Sequence, residues 1–129
     1  MIKLNHSLGK TLWAFSAGHI PLCSTGREPV FTSHDKFSVL NTSDREANLV
    51  LKIFYQDSDP VKEYKITVKA RRVRKIRVND LIDPFPVPLD TPYGFVVESS
   101  TKIIIQFSRM DTSSKEAAAF VVTPYSSSL

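Results

Sequence analysis

A chain of 129 residues, 42% apolar and 23% charged, has the size and composition of one soluble globular domain (residues 1–129) with one core, which excludes global disorder. Cys23 is the only cysteine, so no internal disulfide forms. No apolar run is long enough for a signal peptide or a membrane-crossing helix, and a reducing, cytoplasmic location is expected. The net charge of +4 permits contact with phosphates or an anionic surface, and Arg71, Arg72, Arg74, Lys75 and Arg77 place five of the seventeen basic residues within seven positions.

Along the chain, apolar residues recur every two positions far more often than every 3.6, the signature of strands. The first strands are expected at 11–15 and 37–41, followed by a turn at Asn41-Thr42-Ser43-Asp44. In 47–55, Leu49, Leu51, Ile53 and Tyr55 share a face; in 64–69, Tyr64, Ile66 and Val68 alternate with Lys65, Thr67 and Lys69. With Asp57-Ser58-Asp59-Pro60 between them, these two segments read as an antiparallel hairpin with one buried and one wet face. A strand at 73–78 carries charge on both faces, as an edge strand does. Residues 79–82 suit one helical turn capped by Asn79. The segment 83–92 holds four of the eight prolines, which rules out a central strand and predicts a stiff crossover between two sheets. Strands at 95–98 and 102–108 are separated by a turn at Ser99-Ser100-Thr101. A short helix is expected at 114–119, then a strand at 120–123 and a fraying tail, so that residues 1–7 and 125–129 are flexible ends. The sum is an all-β, two-sheet antiparallel β-sandwich of about eight or more short strands with minimal helix.

Catalytic templates fail one by one. Gly9, Gly18, Gly26 and Gly94 form no nucleotide fingerprint, and neither a nucleophile elbow nor a paired-histidine zinc motif occurs. Cys23 with His19 or His34 has no recognised spacing, and an incidental cysteine is the better reading. His34-Asp35 offers metal ligands, but His6, His19 and His34 are scattered, so hydrogen-bonded or surface histidines are preferred and no metal or cofactor is expected. The Arg71, Arg74, Lys75, Arg77 stripe has two readings: an edge strand or subunit contact, which is preferred, and a phosphate-binding surface for nucleic acid. Trp13 suits either the core or a sugar-stacking platform.

Several ordered blocks make a further point. They are Gly9-Lys10-Thr11-Leu12-Trp13-Ala14-Phe15, Gly18-His19-Ile20-Pro21, Glu28 to Asp35, and Leu40-Asn41. After Pro60-Val61 come Thr67-Val68-Lys69-Ala70-Arg71-Arg72, Arg77-Val78-Asn79-Asp80-Leu81 and Asp83-Pro84. Pro86-Val87-Pro88, Asp90-Thr91, Ile104-Ile105-Gln106 and Arg109-Met110-Asp111 complete the set. In these blocks the chain resembles the sensory rhodopsin transducer family over nearly its whole length. The resemblance implies a β-sandwich that assembles as a homotetramer and binds a small molecule, with carbohydrate-related ligands foremost. By position it nominates Trp13, Glu28, Ser33, His34, Arg72, Asn79, Asp80, Asp90, Arg109 and Asp111 as ligand-binding residues. Carboxylates, an amide, an imidazole and an aromatic face are suited to orienting sugar hydroxyls.

The sequence thus reads as a non-enzymatic signalling module that binds a small polar ligand and passes its state to a partner such as a membrane receptor. Three rivals predict different things. A DNA-binding regulator would use the basic strand, a receptor adaptor would have no small ligand, and a hydrolase would hold a metal at His34 and Asp35.

Overall fold

The structure is a computed structural model that describes residues 7–24, 32–114 and 116–128. Its strands are β1 (Lys10–Gly18), β2 (His34–Asn41), β3 (Ala47–Tyr55), β4 (Val61–Val68), β5 (Arg72–Arg77), β6 (Tyr93–Asp111), β7 (Ala118–Val122) and β8 (Tyr125–Ser127). A 3-10 turn, Val78–Asp80, follows β5. The first sheet runs β4-β3-β6-β1-β8. The second is built from β5, β2, β6 and β7, and every pairing is antiparallel.

β6 belongs to both sheets. Its first part pairs with β1 and β3, and its last part with β2 and β7. Sixteen residues of straight strand would separate Tyr93 from Arg109 by roughly 50 Å, yet both side chains touch Asp35. The rings of Phe95 and Phe107 also approach to 6.0 Å. The strand therefore doubles back near residues 99–102, where its register with β1 jumps from Leu12↔Glu98 to Lys10↔Ile103. The separate strands and intervening turn expected at 95–108 are replaced by one 19-residue strand. Ser99, Ser100 and Thr101 stay extended while the chain changes direction, so a bulge in the ladder does the work of a turn.

Facing β6 halves bring the inner faces together. Leu51 and Trp13 flank Val97, and Ile53 lies opposite Phe95. In the other sheet Phe37 and Val39 lie opposite Phe107 and Ile105, all four fully buried. The hairpin of β3 and β4 forms as expected, its buried positions alternating with wet ones. β5 is an edge strand paired with β2, and Arg72 through Lys75 are exposed. The proline-rich segment 83–92 crosses from the second sheet to the first, tucking Val87 into the core and accepting the Tyr64 hydroxyl at the Phe85 carbonyl.

Two local expectations change. No α-helix occurs among the described residues, and Ala118 and Ala119 open β7 opposite Asp111 and Met110. Alanine's helix propensity is a weak preference, and a six-residue helix cannot recover its nucleation cost when a strand edge offers ladder hydrogen bonds. The turn after β5 has Arg77 at its N-cap and no side-chain cap, so Asn79 does not cap it. In the tail, Tyr125–Ser127 pairs with β1 as β8.

Candidate functional site

The inward positions of β2 read Asp35, Phe37, Val39, Asn41, two apolar residues between two polar ones, all fully buried. Each polar residue closes one end of the core. Asn41 donates to the carbonyls of Arg45 (2.7 Å), Val68 (3.2 Å) and Lys69 (3.3 Å) and accepts from the backbone and hydroxyl of Ser43. At the other end Asp35 accepts four bonds. Arg109 donates from Nε at 2.7 Å and Nη2 at 3.3 Å, the Tyr93 hydroxyl at 2.7 Å, and the His19 backbone N–H at 2.9 Å. Arg109 Nη2 also reaches the Ala17 carbonyl, and its guanidinium lies 5.3 Å from the Phe120 ring. A buried carboxylate is tolerated when it is paired and its lone pairs are filled, and these four donors meet that condition.

The cluster shapes its neighbours. Burial pushes the Tyr93 phenol far above its ordinary range, and the facing Asp35 carboxylate adds to the shift. Outward from Asp35, His19 Nε2 lies 3.0 Å from the carboxylate of Asp90 in the proline-rich segment. Asp111, at the end of β6, accepts from the hydroxyl and N–H of Ser113, which hold its carboxyl below the usual value; Arg109 and His19 add to this.

Beside this cluster is a cavity of about 390 Å³, within the range of small-molecule sites, about 300–1,000 Å³. Its apolar wall is Pro21, Leu22 and Leu89; its polar wall is Ser24, Thr32, Ser33, Arg77 and Asn79. Asn79 ties the two features together, donating to the Ser33 carbonyl at 3.1 Å and accepting from the Asp35 N–H at 3.3 Å. Ser33 is itself anchored: its hydroxyl donates to the Cys23 carbonyl and accepts from the Thr112 N–H. The cavity wall is thus rigidly joined to the core. A larger groove of about 560 Å³, lined by Phe54, Tyr55, Gln56, Tyr93 and Tyr125 among others, is open and mostly apolar. It has no charged residue in its lining.

The expected ligand residues divide. Ser33 and Asn79 line the cavity, and Arg109 stands behind it through Asp35. His34 is next to Ser33, half-buried, with Nδ1 2.8 Å from the Thr32 carbonyl. Asp80 lies 3.8 Å from Arg77, Asp90 pairs with His19, and Asp111 joins the rim of the Arg109 cluster. Trp13 is elsewhere, 4% exposed in the core, its indole N–H donating to the Lys10 carbonyl. Arg72 sits at the opposite end of the second sheet, across from Asn41. Glu28 lies outside the described residues. The basic stripe is broken up. Arg71 pairs with Asp44, Arg74 donates to the Thr67 carbonyl, Lys75 is exposed, and Arg77 turns toward the cavity. The suggested metal pair also separates: His34 and Asp35 face opposite sides of β2, and the oxygens of Asp35 are taken by Arg109, Tyr93 and His19.

Sequence reasoning passed over Asp35, Tyr93 and His19 as a cluster, and Arg77 as a cavity residue. One signal was present. Extending the expected strand at 37–41 back by three residues puts Asp35 in phase with Phe37 and Val39, on the core face.

These features define a class: an antiparallel β-sandwich in which one long strand serves both sheets and one core end is closed by a buried carboxylate beside a small polar cavity. Residues 8–126 match the family model of the Anabaena sensory rhodopsin transducer, and the chain belongs to that family. Among solved structures it is similar to the Anabaena sensory rhodopsin transducer, with 40% identity and a TM-score of 0.71 over 78% of this chain and 95% of that one. It is also similar in fold to Thermotoga maritima 1070, with 24% identity and a TM-score of 0.78 over 92% of this chain and 96% of that one. No match to a curated protein was found. Family membership makes this a signalling, transducer-like domain. No helix among the described residues is long and apolar enough to cross a membrane.

Proposed function

We propose that this chain is a non-enzymatic cytoplasmic signalling module that binds a small polar ligand, foremost a sugar or a relative of one, in the cavity formed by Ser33, Asn79 and their neighbours. The observation that carries the reading is the joining of that cavity, through Asn79, to the Asp35 cluster at the end of the core. Hydroxyl, amide and guanidinium groups on one wall with apolar side chains on the other suit a molecule that has both polar edges and an apolar face. A ligand that prefers one arrangement of the residues around Asn79 shifts the population of whole-domain states, which a partner then reads. The partner is a membrane receptor of the kind named for the Anabaena relative, and the working assembly is a homotetramer, as the family resemblance implies.

The test is thermal unfolding of the purified protein against sugars, sugar derivatives, nucleotides and short duplex DNA. A saturable rise in melting temperature with one sugar class supports the proposal, because a ligand bound to the native state stabilises it by mass action. A rise with DNA alone that disappears at high salt would move the function to the basic strand. Silence across the panel would leave a receptor adaptor without a small ligand.

A further inference from the structure

We infer that the ligand of this cavity carries an oxyanion, a carboxylate or a phosphate ester, and that Arg77 seats it; the inference rests on the cavity being the ligand site. Arg77 contributes the one formal charge to the cavity lining among the described residues. Among the described residues that charge is poorly compensated. The nearest carboxylate oxygen among the described residues, on Asp80, is 3.8 Å from Nη1, beyond hydrogen-bond length, and Asp80 is 67% exposed. Nη2 makes a long bond of 3.3 Å to the Thr32 hydroxyl, and Nε is buried with no acceptor. Among the described residues, a guanidinium only 25% exposed in this state lacks the partner that burial of charge demands.

A second observation is independent of the cavity. In the β2–β5 ladder Arg77 lies directly opposite Lys36, and like charges in that relation destabilise a sheet. Lys36 is half-buried and, among the described residues, no carboxylate lies within 4.0 Å of it. The two cations raise the potential at this corner of the second sheet, and the neutral donors Ser24, Ser33 and Asn79 do nothing to offset it. An oxyanion entering the cavity meets the planar fork of Arg77, whose Nη1 has no acceptor within hydrogen-bond length among the described residues. Arginine suits this task because its donors are spaced to match carboxylate and phosphate oxygens. The remaining hydroxyl and amide groups would address the ligand's own hydroxyls.

The experiment measures melting-temperature shifts and calorimetric affinities for hexuronates, aldonates and hexose phosphates, each beside its neutral parent sugar. It uses the full chain, Arg77→Met and Arg77→Lys, with circular dichroism confirming the fold of each. The acid or the phosphate is expected to bind at least about tenfold more tightly than its parent, since a hydrogen bond to a charged group contributes about that factor or more. Arg77→Met should remove this advantage, and Arg77→Lys should retain part of it. Which anion class responds decides between carboxylate and phosphate. Equal binding of acid and parent, unchanged in Arg77→Met, overturns the inference and leaves the cavity as a ligand site. Absence of any response in the full chain overturns the cavity reading itself, and the inference with it.

Discussion

Replacing Asp35 by asparagine tests the account of the closed core end most directly. The side chain keeps its shape but loses its charge, and one acceptor oxygen becomes an NH₂ that faces donors. Four bonds converge on that carboxylate, and the Arg109 side chain it neutralises is only 16% exposed. Removing one partner of a buried ion pair costs about 3–5 kcal/mol, because the other charge stays buried without compensation. A domain of this size has a net stability of about 5–15 kcal/mol, so the loss is about a fifth of the total or more. It corresponds to a fall in melting temperature of roughly 10–20 °C. Urea unfolding at pH 7, followed by fluorescence of the single, buried Trp13, measures it as a lower midpoint with an unchanged slope. Asp35→Asn combined with Arg109→Met should be less destabilising than the sum of the single changes by about 1 kcal/mol or more, since the second change removes the orphaned charge. A single-variant loss below about 1 kcal/mol, or strict additivity in the double variant, would refute the reasoning.

Three further outcomes follow from the same geometry. Asn41→Ala removes a fully buried amide that donates to three carbonyls, the buried one of Val68 among them, and should cost about 2 kcal/mol or more by equilibrium unfolding; a neutral result would mean that water replaces the amide. Gly18→Ala puts a methyl group 2.3 Å from the Tyr93 ring, which must shift away from Asp35. A loss of about 1–3 kcal/mol is expected, with an altered Tyr93 ring signal by NMR, and an unmoved ring would contradict it. In alkali, the folded chain retains phenolic protons that the unfolded chain releases. Tyr55 is pushed up to about 12 by burial with a contribution from Tyr64, and burial raises Tyr64 and Tyr93 as well. These groups leave stability intact below pH 10 and reduce it as pH rises from about 10 to 12; urea midpoints that stay level from pH 9 to 12 would contradict this.

Much of the architecture was legible from local pattern. The period-two run of Leu49, Leu51 and Ile53 located β3 to its observed ends, Ala47–Tyr55. The charges of β5 marked an edge, and the prolines marked a crossover, because each of these follows from backbone geometry within a few residues. Tertiary structure decided the rest. Ser99-Ser100-Thr101 looks the same locally as a hairpin turn or as a bend within one strand; only the separate partners of the two halves of β6 select the second. Ala118 and Ala119 became strand because the β6 edge offered bonds that an isolated helical turn could not match. The candidate site was the least legible part for the same reason. Asp35 meets its donors 16, 58 and 74 residues away, and Arg77 reaches Thr32 across 45. Periodicity tells which side chains share a face of a strand, but the partner that neutralises a buried charge is supplied by whatever distant segment the packing places against that face.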